Sequence, residues 1–182
     1  MDQMNFFDRP LAFTDVETTG TDPLVHEIIE IGLVVVDQKT FQVIDELDVK
    51  IEPTWIDKAE PQALAVNGYK AEDWLHAISL REAMAYYAAK TEGGIFVAHN
   101  AKFDWPFISQ AFWLTDVKNQ TDYHVLCSMS MAFLKLRRAG LRGVNLKLVA
   151  RHLGVPEEPL PHRAINGART AYEVFKKLDS LP

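Results

Sequence analysis

Cysteine is nearly absent: the chain has one in 182 residues, Cys127. A lone cysteine excludes an internal disulfide and suits a reducing compartment. Its setting, Tyr-His-Val-Leu-Cys-Ser-Met, reads as a strand end, where a thiol packs rather than attacks. Long apolar runs are missing too. No 18-residue apolar stretch occurs and no charged-then-apolar leader opens the sequence, so a cytoplasmic chain with no membrane contact is expected. Positive charge is in short supply, with 19 Lys and Arg against 25 Asp and Glu, a net charge of −6. That balance argues against a general polyanion binder until its distribution is considered. Residues 1–82 carry 17 acids and 6 bases, whereas residues 118–182 carry 11 bases and 5 acids. From Lys135 to Arg151 there are six bases, including Arg137, Arg138 and Arg142, and no acid. The acidic half suits a cation and the basic half can meet a polyanion. Taken alone, the basic run is more simply a solvated helix face.

What is present fits one domain over residues 1–182. A hydrophobic share of 48% supports a sizeable core, and no repeat, linker or low-complexity tract interrupts the chain. Leu11–Glu17 reads as a short buried strand broken by Thr18-Thr19-Gly20. Asp15 and Glu17, two apart, project to the same face of that strand. Like charges held that close raise each other's pKa unless a cation lies between them. Oxygen-only ligands suit a hard ion such as Mg²⁺ or Mn²⁺. A bare Asp-x-Glu is more often a strand end reaching solvent, so the pair gains weight only from the Thr-Thr-Gly after it and from motifs further along the chain.

The rest of the chain reads in order. Met1–Arg9 is a loose lead-in. Ile28–Asp37 is β-branched and apolar on both faces, a central strand, and Gln42–Ile51 pairs with it as the next antiparallel strand. A proline-started helix ends at Asn67-Gly68. Ser79 and Glu82 form a capping box for a helix to about Lys90. Ile95–Ala98 is a short buried strand ending at His99-Asn100. Lys102–Leu114 has helical spacing, with Asp104 in its first turn. Tyr123–Cys127 is a further strand, Met129–Arg138 and Leu146–Leu153 are helices, and Ala164–Leu178 is the last helix. Three strands in a meander followed by alternating helix and strand give an α/β fold, a mixed sheet flanked by helices. The tryptophans, Trp105 and Trp113 among them, are expected in packing roles.

Asp15-Val-Glu17-Thr-Thr-Gly, His99-Asn100-Ala-Lys-Phe103-Asp104 and Pro161-His162-Arg163-Ala164 with Ala168-Arg169-Thr170-Ala171 follow one another along nearly the whole chain. Together they resemble the three motifs of the DEDDh family of 3′–5′ exonucleases. The resemblance implies a ribonuclease-H-like fold with a five-stranded mixed sheet and the motif residues at one edge. It also implies two-metal phosphodiester hydrolysis, with two Mg²⁺ or Mn²⁺ ions about 3.5–4 Å apart. Asp15 would bridge both ions, Glu17 would hold one and Asp104 would support the other. His162 would act as general base. The terminal nucleotide would lie near Thr18 and Thr19, beside His99 and Asn100, with Phe103 against its base. The implied substrate is a single-stranded 3′ end, DNA in preference to RNA. Whether the chain works alone, as a homodimer or on a polymerase or nuclease partner stays open.

One position departs from the family pattern. The fourth acid, five residues after the histidine, is replaced by Gly167. Three readings remain: a weakened or silent relative, a substitution made to trap a complex, or Asn166 standing in as a neutral ligand. The last is disfavoured, because one helical step swings a side chain by about 100°. A non-catalytic nucleic-acid-binding or scaffolding module on the same fold is the competing function.

Overall fold

The architecture is built around β1, Leu11–Thr18, the strand that carries the Asp-x-Glu pair. It lies in the middle of a five-stranded sheet of order β3-β2-β1-β4-β5. β2 is Ile28–Val36 and β3 is Val43–Lys50, both antiparallel to their neighbours; β4, Ile95–Ala98, and β5, Val125–Cys127, join in parallel. All nine residues of β2 are buried, as its two-faced apolar run requires. β3 is an edge strand, and Val43 and Ile44 remain exposed on it. A computed structural model describes residues 5–182.

Helices cover both faces. On one face α2, Leu80–Lys90, and α3, Ala101–Thr115, enclose Val16, Ile31, Leu33, Tyr87, Phe96 and Ile108. Ser79 Oγ accepts the Glu82 N–H at 3.2 Å and caps α2. On the other face α6, Ala164–Asp179, packs on Phe13, Val34, Ile95 and Val97 through Ile165, Ala168 and Tyr172. A third cluster joins α6 to α4, Ser128–Leu136, and α5, Leu146–Leu153. The short α1, Pro61–Asn67, ends at Gly68 in the left-handed conformation, φ 62°. None of the helices among the described residues is long and apolar enough to cross a membrane.

Several expectations need correction. The segment Tyr123–Cys127 is a strand only from Val125, and Tyr123 is exposed. The lead-in is not loose where it is described: a 3₁₀ turn, Phe6–Asp8, precedes Arg9, whose Nη1 donates to Gly93 O at 2.8 Å and whose Nε pairs with Asp122 at 3.2 Å. Met1–Met4 lie outside the described residues. Trp113 is not a packing residue but 79% exposed, because it falls on the outer side of α3. Trp105, by contrast, packs edge-on against Phe96 at 5.0 Å.

Candidate active site

Two close approaches place the cleft. β1 pairs with β4 only through Phe13↔Val97, so past Phe13 the β4 side of β1 is open. Asp104, from the first turn of α3, enters that opening and its Oδ1 accepts the Val16 N–H at 3.2 Å. On the other side, Gly32 lies opposite Asp15 in the β1–β2 register. A Cβ on Gly32 would run into the backbone of Ala164 and Ile165, so only glycine lets the start of α6 lie on the sheet. That start is clamped by Glu30, which is 1% exposed. Glu30 accepts from Arg163 Nη1 at 3.1 Å and from the Ala164 N–H at 3.2 Å, and the same Arg163 nitrogen donates to Asn67 O at 2.8 Å.

The result is a cleft of about 380 Å³ lined in part by Asp15, Glu17, Phe103, Asp104, Glu158 and His162. The four motif residues expected to carry chemistry, Asp15, Glu17, Asp104 and His162, therefore meet in one place. Burial is the main reason that all three acids hold their protons tightly. Asp15 lies well above the usual carboxylate range, with Asp104 and then Glu17 adding repulsion. Burial, followed by repulsion from Glu30 and Glu158, pushes Glu17 up to about 8. Burial likewise raises Asp104 to about 7, against the lowering pull of the Val16 N–H. No Lys or Arg forms an ion pair with Asp15, Glu17 or Asp104 among the described residues.

His162 stands at the rim, its side chain 41% exposed. Its Nδ1 lies 3.0 Å from Glu158 Oε2. An ionised carboxylate only accepts, so beside one a neutral imidazole carries its hydrogen on Nδ1 and leaves the Nε2 lone pair free. The histidine is not a helix cap, since Arg163 occupies the N-cap of α6.

The expected substrate contacts divide. Phe103 lines the cleft, backed by Phe107 at 5.3 Å between ring centroids. Asn100 also lines it, at φ 75°, and its side chain makes no cap hydrogen bond to α3. His99 reaches the cleft wall, yet both ring nitrogens are engaged, with Ser128 Oγ at 2.9 Å and Val144 O at 2.8 Å. It ties β4 to α4 and the loop before α5. Thr18 and Thr19, where the resemblance puts the terminal nucleotide against backbone amides, are buried and do not line the cleft. Thr18 Oγ donates to Gly20 O, while the Thr19 N–H donates to Glu27 O and its Oγ accepts the Glu27 N–H. Their hydroxyls are spent in fixing the turn.

Gly167 lies directly over Asp15, and a Cβ there would overlap the Asp15 carboxylate as it now stands. Three residues that line or shape the cleft were given no role by sequence reasoning: Glu158 in its lining, and Glu30 and Arg163 in the clamp beside it. Glu30 had a signal, as the one acid inside an otherwise apolar strand. Glu158 had none, because it belongs to a proline-rich connector and meets Glu17 only through the fold.

Known proteins resemble this chain in sequence and in fold. The RNase T model, described as exonuclease, matches residues 12–175. The chain belongs to this exonuclease family. It is 32% identical over 177 residues to the DNA polymerase III PolC-type of Thermotoga maritima, covering 96% of this chain and 12% of that protein. With ribonuclease T of Shewanella sp. (strain ANA-3) it shares 34% over 133 residues, 66% of this chain and 60% of the other. Among solved structures, E. coli exonuclease I in complex with a dA16 oligonucleotide superposes with a TM-score of 0.79 at 17% identity, covering 95% of this exonuclease-family chain and 41% of that one. The latter likeness establishes the ribonuclease-H-like fold. The chain thus spans less than two thirds of each of these proteins.

Proposed function

We propose that this chain is a divalent-metal-dependent 3′–5′ exonuclease that hydrolyses phosphodiester bonds at single-stranded ends, DNA in preference to RNA. One observation carries the reading: three carboxylates without basic partners crowd one cleft beside a histidine whose Nε2 is available. The donor set fits the metal the family implies. Every carboxylate offers oxygen, as Mg²⁺ and Mn²⁺ prefer, and the raised proton affinities reflect burial first, with repulsion between neighbouring acids added at Asp15 and Glu17.

Asp15, Glu17 and Asp104 would hold two such ions. When bound, the ions neutralise charge on the scissile phosphate and make water a nucleophile at neutral pH. The protein's own groups supply the remainder. His162 takes the proton of the attacking water at Nε2, and Glu158 fixes the ring through Nδ1. Phe103 presents an aromatic face to the terminal base. An apolar groove formed by Met129, Phe133, Leu134 and Val144 shares Met129 with the cleft, and α4 leads from it to Arg137 and Arg138. That course suits a strand whose bases lie on apolar side chains while its phosphates meet arginine.

Support for DNA comes from the PolC-type relatives, which are DNA polymerases, and from the dA16 bound to exonuclease I. The same relatives make a polymerase the natural context. A second reading is favoured by one observation, the missing oxygen at Gly167: a nucleic-acid-binding module that does not cleave. The test uses 3′-labelled and 5′-labelled oligonucleotides of DNA and RNA, with Mg²⁺ and with Mn²⁺. Stepwise loss from the 3′ end, dependent on Asp15 and faster on DNA, supports the nuclease. Binding without cleavage under both metals supports the module.

A further inference from the structure

Gly167 leaves the family's fourth ligand position without an oxygen, but the cleft does not lack a fourth carboxylate. The connector between α5 and α6 contains two consecutive glutamates that go opposite ways. Glu157 turns outward and pairs with Arg151 at 2.6 Å and Lys147 at 3.5 Å. Glu158 turns inward, 13% exposed in its side chain. Its Oε1 accepts the Arg163 N–H at 3.2 Å and its Oε2 meets His162 Nδ1 at 3.0 Å. One oxygen each from Glu17 and Glu158 and one ring nitrogen of His162 all lie within 4.8 Å of one another.

That orientation runs against electrostatics. Two basic side chains lie within reach of the same connector, yet Glu158 turns to the side of the cleft that holds Asp15 and Glu17, with His162 and the Arg163 N–H as its partners. Glu158 adds repulsion at both Asp15 and Glu17, and neither of those carboxylates receives a hydrogen bond from the described residues to offset it. Such an inward carboxylate is stable beside them where they keep their protons or where positive charge joins the cluster, and a bound cation supplies that charge at neutral pH and above. A carboxylate oxygen has more than one lone pair, so the contacts to Arg163 and His162 leave room for a ligand bond.

We infer that Glu158 is a metal ligand in this chain, supplying from the α5–α6 connector the carboxylate that residue 167 does not. The inference rests on the metal-dependent reading above. It divides the task that one helical acid performs in the family pattern. α6 now contributes only the bare backbone at Gly167, which admits Asp15, while the connector contributes the charge. Glu158 then has two roles, a bond to the ion that Glu17 holds and a hydrogen bond that orients His162.

The test is calorimetric titration of the full chain with Mn²⁺, without nucleic acid. Wild type is compared with Glu158→Gln, Glu158→Asp, Glu157→Gln and Asp15→Asn, with thermal melts to verify folding. Glu158→Gln should weaken Mn²⁺ binding by at least about tenfold, Glu158→Asp should weaken it less, and Glu157→Gln should leave it unchanged. The loss should persist when Glu158→Gln is made in a His162→Ala background. Unchanged affinity in folded Glu158→Gln overturns the inference, as does a loss that vanishes without His162, because Glu158 then acts only through the ring. In either case a wild-type affinity that collapses in Asp15→Asn leaves the metal-dependent reading standing. If wild type binds no Mn²⁺, or Asp15→Asn binds it equally well, that reading fails and the role of Glu158 fails with it.

Discussion

Stripping the metal and raising the pH should destabilise this protein, and the cleft sets how much. Glu17 binds its proton with a pKa of about 8, against 4.5 for an ordinary glutamate. Between those values the folded chain holds a proton that the unfolded chain has lost, so stability falls as pH rises through the window. Each tenfold gap in proton affinity is worth about 1.4 kcal/mol, which caps the contribution of Glu17 at roughly 5 kcal/mol. Asp104, raised to about 7, draws on much the same burial and repulsion, so the two are not additive. Relaxation and water entry into an open cleft reduce the figure to about 2–3 kcal/mol, or roughly 5–10 °C in melting temperature for a domain of this size. The assay is a melting series in EDTA from pH 5 to pH 8.5, repeated with millimolar Mn²⁺. The EDTA series should fall with pH, the Mn²⁺ series should recover the loss at high pH, and Glu17→Gln should flatten the EDTA curve. Equal slopes for wild type and Glu17→Gln, or no recovery with Mn²⁺, would refute the reasoning, because the carboxylates would then not be waiting for a cation.

Three further outcomes are expected. Gly167→Asp should change sign with metal: in EDTA at pH 8 it lowers the melting temperature, because a further acid crowds Asp15, whereas in Mn²⁺ it speeds hydrolysis measured on a labelled oligonucleotide. His162→Ala should reduce cleavage by about 10²–10⁴-fold and shift melting little, since the ring is 41% exposed; retained cleavage would remove it as the base. Neutralising Arg137, Arg138 and Arg142 together should flatten the salt dependence of oligonucleotide binding by about 0.7 per lost phosphate contact, and an unchanged slope would send the strand elsewhere.

Much of the fold is written locally. β2 declares itself as a buried central strand because nine residues in a row are apolar or small apart from Glu30, and α2 through its Ser79–Glu82 cap. Period-two spacing alone puts Asp15 and Glu17 on one face, and the order of three motifs is enough to join Asp104 and His162 to them. The boundaries that were missed lie where tertiary contact decides: Tyr123 is left out of β5 because β4 offers partners only for Val125–Cys127.

The sequence by itself therefore determined the sheet, the family and seven of the residues that line the cleft, Asp15, Glu17, His99, Asn100, Phe103, Asp104 and His162, because strand period, capping and motif order are properties of neighbouring residues. It also determined that residue 167 has no side chain. Only the tertiary structure places that residue over the Asp15 carboxylate. Thr18 and Thr19 look available in the sequence, but their hydroxyls are bonded to Gly20 and to Glu27 respectively. His99 looks chemical, but both its nitrogens are committed across the chain to Ser128 and Val144. Glu158 looks like one of two surface glutamates, yet the α5–α6 connector carries it to Glu17, 141 positions away in sequence. Contacts between residues so distant depend on where helices settle on the sheet, here on Gly32 and the Glu30–Arg163 clamp, and no local pattern records that.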